Sequence, residues 1–245
     1  MKSIPEKKIF SFNKGNFPFV SADNKMKTFI KKAFLEKRLF ATSDVDYFAI
    51  ADVVLVNVAL DISYKRKKSY VDFSRFDDAI RTIASKINSK CLVIVETTVL
   101  PGTCEKRVLP IMKDVFIKRK LDDKKIMVAH SYERVMPGPN YIDSIINNYR
   151  VYSANNSKSE RKCKQFFKSF INTSKYPLTK LSSMTSSETA KIVENSYRAV
   201  NIAFIEEWAR FAEAIGVNSF EIIEAIRKRP THNNIRQPGF GVGGY

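Results

Sequence analysis

Four short apolar runs, rich in β-branched residues, set the architecture of the first part of the chain. They cover residues 53–58, 91–96, 126–130 and 149–153, and polar or helical stretches separate them. Continuous apolar runs of this length are typical of strands buried on both faces, and strands that alternate with helices form βαβ units. The pattern predicts an α/β fold built on a doubly wound parallel sheet.

Helices are predicted between these strands. Apolar residues recur at helical spacing over residues 74–87, and the first turn contains Ser74 and Asp77 at the spacing of a capping box. Further helices are predicted over residues 26–37, 103–118 and 157–171. Pro110 is expected to kink the second of these or to end its first segment, because proline has no N–H to donate. Residues 39–42 are expected to add a short edge strand.

Beyond residue 180 the predicted strands stop and the chain becomes helical. Thr185 and Glu188 have the spacing of a second capping box, and apolar residues then recur every three or four positions up to Gly216. This pattern predicts one long helix with a C-cap at the glycine. A second helix is expected from Asn218 to just before Pro230.

The change of pattern near residue 181 predicts two domains without a flexible spacer. Residues 1–180 are expected to form the sheet domain and residues 181–245 the start of an all-helical domain. The apolar stripe of the long helix includes Trp208. It is explained as core within this chain.

Charge and composition exclude several classes of protein. Lys and Arg number 42 against 25 Asp and Glu, a net charge of +17 that attracts polyanions. These residues are scattered, and the abundance of Lys, Asn, Ile and Phe is what an AT-rich genome produces, so nucleic-acid binding is not favoured. The longest apolar run, residues 50–60, contains Asp52 and Asn57. It is far from the roughly 18 to 20 apolar residues of a membrane span.

The first residues and the cysteines point to a reduced compartment. The N-terminal segment has no apolar core or cleavage site of a signal peptide, so a cytoplasmic protein is expected. Cys91, Cys104 and Cys163 are odd in number and lack CxxC spacing, which predicts neither a disulfide framework nor a zinc site. With only His130 and His232 besides, no metal site is predicted.

Polar residues follow two of the predicted strands, at the sheet edge where doubly wound folds bind ligands. After residues 91–96 come Thr97, Thr98 and a Pro-Gly turn, which suit the orientation of water or sugar hydroxyls. The alternative is a plain turn with Thr103 as a helix N-cap. After residues 126–130 comes Glu133, a candidate general base or else a surface carboxylate paired with its neighbouring arginine.

The long helix and the glycine-rich tail contain the other candidates. Lys191 and Asn195 are four residues apart, so they share a helix face and can donate to one oxyanion. The alternative is a solvated salt-bridge face. In the tail, Gly239, Gly241 and Gly244 match GxGxxG, but the match lacks the strand before it and the helix after it that a dinucleotide fingerprint needs. The glycines predict instead a close approach of the backbone to another group.

Four segments together resemble the UDP-glucose/GDP-mannose dehydrogenase family over roughly residues 30–245. They read VETTVLPGT, HSYERVMPG, ETAKIVENSYRAVNIAFIEE and QPGFGVGGY, in this order. The resemblance implies a Rossmann-like dinucleotide domain followed by a central helical domain. It also implies oxidation of the C6 hydroxyl of a nucleotide-diphospho-sugar to a carboxylate, with two NAD reduced in succession, for polysaccharide biosynthesis. UDP-sugars are favoured as the commoner substrates of the family.

The resemblance implies a role for each matched residue. Thr98 would hold the water of the hydrolytic step, and Glu133 would be its general base. Lys191 and Asn195 would stabilise the alkoxide or tetrahedral oxyanion. The substrate would be wrapped by the tail residues Gly239, Gly241, Gly243, Gly244 and Tyr245. Val58 and Thr98 would lie beside the NAD cofactor.

The chain also departs from the family pattern. The family's nucleophile is a cysteine directly after the glycine-rich tail, whereas this chain stops at Tyr245, and Gly15 is its only glycine before Gly102. We therefore expect an incomplete enzyme that is poorly stable unless it pairs with a complementing fragment. The resemblance also implies that the long helix contributes to a homodimer. Smaller departures are Tyr132, where many members have proline, and residues 58–61. The alternative is a non-catalytic remnant or interaction subunit.

Overall fold

The computed structural model describes residues 6–60, 62–65, 68–136 and 138–241. It contains two compact units, Met1–Glu188 and Thr189–Tyr245. The first is an α/β unit and the second is helical.

The strands of the first unit form a mainly parallel sheet. They are, in chain order, β1 (Val53–Val56), β2 (Ile62–Lys65), β3 (Lys68–Val71), β4 (Leu92–Val95), β5 (Met127–His130), β6 (Val151–Ala154) and β7 (Thr179–Lys180). The sheet order is β1-β4-β5-β6-β7, and β2 with β3 makes a separate antiparallel hairpin. The four predicted strands are confirmed within a few residues. The sequence predicts a parallel sheet, but β6 runs antiparallel to β5.

Helices cover both faces of this sheet and make up the second unit. They are α1 (Glu6–Phe12), α2 (Lys25–Leu35), α3 (Ser74–Lys86), α4 (Leu109–Lys118), α5 (Tyr141–Ile146), α6 (Ser157–Lys168), α7 (Met184–Ala214) and α8 (Ser219–Arg227). Short 3-10 segments lie at Val45–Ile50, Asp123–Lys125 and Pro230–His232. A π-helical segment, Cys104–Val108, precedes α4, so the predicted break beside Pro110 is confirmed.

Two apolar clusters pack against opposite faces of the sheet. Successive side chains of a strand point to opposite faces, and β4 accordingly sends Val93 and Val95 into one cluster and Leu92 and Ile94 into the other. The first cluster is completed by side chains of α3 and α4, and the second by side chains of α6. This layering of helix, sheet and helix is the predicted doubly wound architecture.

Three local predictions are wrong. Residues 39–42 form no strand. At the start of α3 the capping box does not form, because Asp72 accepts the N–H of Ser74 at 2.9 Å and Asp77 instead binds Arg107 at 2.6 Å. The helix predicted to end near residue 171 ends at Lys168.

The ends of the long helix and the start of the next follow the sequence prediction. α7 is followed by Gly216, whose φ of +75° is the left-handed conformation of a C-cap glycine. Asn218 then caps α8, because its Oδ1 accepts the N–H of Phe220 at 3.0 Å.

Truncation of a core aromatic of α4 should destabilise the first unit. Phe116 is 1% exposed in the cluster under α3 and α4. Phe116→Ala should lower the free energy of unfolding by about 3 to 5 kcal/mol, because it leaves a cavity. Urea denaturation followed by circular dichroism measures the change. Ile117→Ala is the matched control on the same helix. Its side chain is 56% exposed, so a loss similar to that of Phe116→Ala would contradict this account of the core.

Candidate active site

The candidate site lies at the edge of the sheet where β4 and β5 end. Glu96 directly follows β4, and Glu133 follows β5 by three residues. Because β6 runs antiparallel to β5, Arg150, which directly precedes β6, lies at the same edge. In doubly wound sheets this edge is where ligands bind.

Arg150 joins the two glutamates. Its Nη2 donates to Glu96 Oε1 and its Nη1 donates to Glu133 Oε2 at 2.9 Å. Its Nε donates to Ser131 Oγ at 3.0 Å, and the guanidinium lies 4.9 Å from the ring centroid of Phe167. The side chains of Arg150 and Glu96 are each only 8% exposed. One buried cation therefore sets the positions of two carboxylates.

Arg150 stays charged in this setting. Burial lowers the pKa of Arg150 to about 10, and carboxylates beside a cation favour its charged form. The guanidinium thus carries its proton throughout the neutral range. Sequence analysis missed both Arg150 and Glu96. The available signal was a charged residue at the end of an otherwise apolar run, where desolvation is costly without a partner.

The Glu133 carboxylate is held in one orientation, and its side chain is partly exposed to solvent. Its Oε1 accepts the backbone N–H of Val135 at 2.5 Å, while Oε2 is bound by Arg150. Its side chain is 38% exposed. The neighbouring Arg134 donates to the hydroxyl of Tyr132 at 2.9 Å. Glu133 is thus bound to the buried Arg150. A surface ion pair with its neighbouring arginine would not explain this contact.

The threonines after β4 differ in environment. Thr97 is buried, and its hydroxyl donates to the carbonyls of Val56 at 3.2 Å and Val58 at 2.9 Å, which ties the end of β1 to β4. Thr98 is exposed at the sheet edge. The hydroxyl of Thr103 donates to the carbonyl of Leu100 at 2.6 Å and makes no N-cap bond. Thr98 is therefore the exposed threonine on this turn.

The start of α7 is anchored by Glu188, in place of the predicted capping box. Its Oε2 accepts the N–H of Gly102 at 2.5 Å and its Oε1 accepts the N–H of Cys104 at 2.7 Å. An anion at a helix N-terminus is favoured by the unpaired N–H groups there. The predicted partner, Thr185, instead donates to Glu105 Oε2 at 3.0 Å.

A buried polar cluster lies beside this anchor. His130 Nδ1 is 2.7 Å from Ser187 Oγ, which is 2.5 Å from Ser153 Oγ. His130 is fully buried, and its Nε2 is the buried side-chain atom without a hydrogen-bond partner among the described residues. Burial lowers the pKa of His130 to about 4. The imidazole is therefore neutral at physiological pH.

The remaining predicted site residues belong to the second unit. Lys191 and Asn195 lie on α7, four residues apart, on one helix face as predicted. Gly239 donates its N–H to Glu206 Oε2 at 3.2 Å. Gly241 has a φ of +122°, and a Cβ there would meet no atom within 4 Å. The predicted residues Gly243, Gly244 and Tyr245 lie outside the described residues.

The three cysteines are buried and unreactive. Burial raises the pKa of Cys91 to about 11 and that of Cys163 to about 12. The pKa of Cys104 is also raised, by burial and by the charge of Glu188. Since the thiolate is the nucleophile, none of these thiols is a candidate for nucleophilic catalysis. No group of three or more His, Cys, Asp or Glu suited to a metal is found in the described part of the chain.

Family comparison matches both units of the chain. The sequence profile of the UDP-glucose/GDP-mannose dehydrogenase family, NAD binding domain, matches residues 3–171. The chain belongs to the UDP-glucose/GDP-mannose dehydrogenase family. The profile of the central domain of this family matches residues 185–245. The matched NAD-binding domain indicates NAD as the cofactor.

Several members of the family are similar to this chain. The UDP-N-acetyl-D-mannosamine dehydrogenase of Methanocaldococcus jannaschii is 35% identical over 80% of this chain and 42% of its own length. That of Methanococcus vannielii is 30% identical over 99% of this chain and 52% of its own length. The solved structure of UDP-D-ManNAc dehydrogenase from Pyrococcus horikoshii superposes with a TM-score of 0.86 at 28% identity, covering 98% of this chain and 54% of that one. The chain spans about half the length of the relatives it matches.

Among the described residues, no helix is long and apolar enough to cross a membrane.

The stability of the folded chain should depend on pH, because His130 is buried and neutral. The unfolded chain takes up a proton near pH 6.5, whereas the folded chain does so only near pH 4. The free energy of unfolding should therefore fall as the pH falls between these values, by about 3 kcal/mol for this group. Chemical denaturation at pH 7 and pH 4.5 measures this loss in parent and variants.

His130→Asn should reduce that loss, because the amide does not titrate. His232→Asn is the matched control, since the chain has two histidines and His232 is exposed. If both variants lose as much stability as the parent, His130 is not the group responsible.

Proposed function

We propose that this chain contributes to the NAD-dependent oxidation of the C6 hydroxyl of a UDP-sugar to a uronic acid. The observation that carries the proposal is the oriented, partly exposed carboxylate of Glu133 at the ligand-binding edge of a sheet of this family. Relatives named UDP-N-acetyl-D-mannosamine dehydrogenase support that sugar nucleotide as the first substrate to test. The product would enter polysaccharide biosynthesis.

The roles proposed for the first unit follow from exposure and hydrogen bonding. NAD, when bound, accepts the hydride from C6. The exposed hydroxyl of Thr98 orients the water that hydrolyses the acyl intermediate. Glu133 takes the proton from that water, because Arg150 and the Val135 N–H hold its carboxylate at the sheet edge and its side chain is partly exposed.

The roles proposed for the second unit are electrostatic. Lys191 and Asn195 donate to the oxygen that becomes negative, and such donors stabilise a transition state more than a ground state. The tail glycines, from Gly239 to Gly244, with Tyr245, contact the substrate. The resemblance implies that the acyl intermediate is a thioester to a cysteine that follows this tail.

The residues of this chain fit one edge of an NAD site. Half-buried Val58 and exposed Thr98 follow the adjacent parallel strands β1 and β4, where doubly wound sheets bind dinucleotides. Gly15, the only glycine before Gly102, packs against Phe34, since a Cβ added to Gly15 would lie 2.7 Å from the ring. It is therefore not a phosphate-binding glycine, and the chain's own contribution is Val58 and Thr98.

The same proposal includes the assembly and location of the protein. Residues 1–180 form the dinucleotide-binding domain and residues 181–245 the start of the central domain, in a cytoplasmic enzyme. In the second unit, α7 and α8 line an apolar groove of about 390 Å³. Phe204, Trp208 and Phe211 in this groove are each more than half exposed, which supports pairing with a second copy or a complementing fragment.

The decisive test is turnover in the full-length protein with NAD and UDP-N-acetyl-D-mannosamine. Glu133→Gln should slow hydrolysis of the acyl intermediate much more than the first hydride transfer, because the amide cannot accept the proton. Rapid-quench mass spectrometry should then find a trapped covalent acyl-enzyme, while stopped-flow NADH absorbance reports the first step. Equal slowing of both steps would exclude the general-base role of Glu133.

Lys191→Ala tests the oxyanion role separately. It should lower kcat by about 100- to 1000-fold, the scale measured for lost oxyanion donors. Lys228→Ala is the control, because Lys228 lies at the C-terminal end of α8 and has no proposed role. Turnover that is unchanged by Lys191→Ala removes this residue from the mechanism. Absence of NADH formation with every UDP-sugar favours the non-catalytic alternative.

A further inference from the structure

We propose that Arg150 is a positioning residue for the hydrolytic step: it holds the Glu133 carboxylate aimed at the site, with Glu96 as its counter-ion. The inference rests on the general-base role proposed above for Glu133. It adds a residue that touches neither substrate nor cofactor and acts through the base.

The contacts of Arg150 orient it independently of Glu133. Its Nε is bound to Ser131 Oγ, and that hydroxyl donates to the carbonyl of Val151 at 2.8 Å. On its other side Nη2 is bound to Glu96, and the ring of Phe167 lies against the guanidinium plane. Nη1 is then directed at Glu133 Oε2. The direction of the last bond is thus set by the rest of the network.

The geometry requires an arginine. A planar fork of five N–H donors reaches three oxygens on two segments of chain, one after β4 and one after β5, whereas the compact ammonium of lysine is a point charge. A buried ion pair generally contributes little net stability, because desolvation offsets the attraction. The network therefore has more use in orienting a functional carboxylate than in holding the fold together.

The charged groups around Glu133 decide which residues must be changed to test the role of Arg150. The charged groups on the neighbouring segments are Arg150 before β6, Glu96 after β4 and the adjacent Arg134, which is bound to the Tyr132 hydroxyl. Arg150 is in direct contact with Glu133, and Glu96 acts through it. Removing Arg150 and Glu96 together deletes one cation in contact with Glu133 and leaves neither partner of this buried ion pair behind.

The double variant Glu96→Leu with Arg150→Met is therefore the test. In the full-length protein it should slow hydrolysis of the acyl intermediate by about 100-fold, through misalignment of Glu133. The first hydride transfer, followed by stopped-flow NADH absorbance, should keep its rate, and KM should change little. Rapid-quench mass spectrometry should therefore find that the acyl-enzyme accumulates.

A matched control comes from the same unit. Arg107 binds Asp77 through two bonds, of 2.6 and 2.8 Å, and lies over the ring of Phe73. The pair has similar chemistry but no contact with Glu133. Asp77→Leu with Arg107→Met should leave the rate of hydrolysis and KM unchanged. Equal effects of the two double variants would mean that general destabilisation explains both.

Two results separate this inference from the proposed function. Unchanged hydrolysis in the Glu96/Arg150 variant, with hydrolysis still slowed by Glu133→Gln, overturns the role of Arg150 and keeps the general base. Hydrolysis that is unaffected by Glu133→Gln overturns the general base and this inference with it. Arg150→Lys adds a check, because it keeps the charge without the fork. Hydrolysis should stay slow in this variant, and a normal hydrolytic rate would contradict positioning by the fork.

Discussion

The buried guanidinium of Arg150 is the interaction on which the ligand-binding edge of the sheet depends. A desolvated cation is stable only with anions and acceptors around it, and here Glu96 supplies one after β4, while Ser131 and Glu133 supply two after β5. The antiparallel direction of β6 makes this possible, because it brings the start of that strand to the ends of its neighbours. The same contacts that satisfy a buried charge therefore also arrange the candidate catalytic carboxylate.

A second polar anchor fixes the start of α7. Glu188 accepts two N–H groups at the helix that begins after Gly102, and Ser187 joins His130 and Ser153. The two bonds of Glu188 satisfy backbone N–H groups that would otherwise be buried without partners. α7 continues from this anchor into the second unit, where it carries the lysine and asparagine of the family motif.

Charged residues account for both capping-box errors made from sequence. Asp77 and Glu188 both have capping-box spacing, yet each binds a group from a distant segment, because those partners offer a bidentate arginine and a pair of free N–H groups. A capping box is a local option that a better long-range partner displaces. The short α1 and α5 and the hairpin of β2 and β3 were also missed, since elements of so few residues show little periodicity.

The sequence by itself determined the alternation of strands and helices, the long helix with its C-cap, and the family to which the chain belongs. It also placed Thr98 and Glu133 after buried strands, because apolar periodicity is a local property that survives without knowledge of the fold. Only the tertiary structure decided that Arg150, from a segment 17 residues further along, binds Glu133. The choice of partner for a buried charge depends on which segments meet at the sheet edge and how far water is excluded there, and neither is encoded in local spacing.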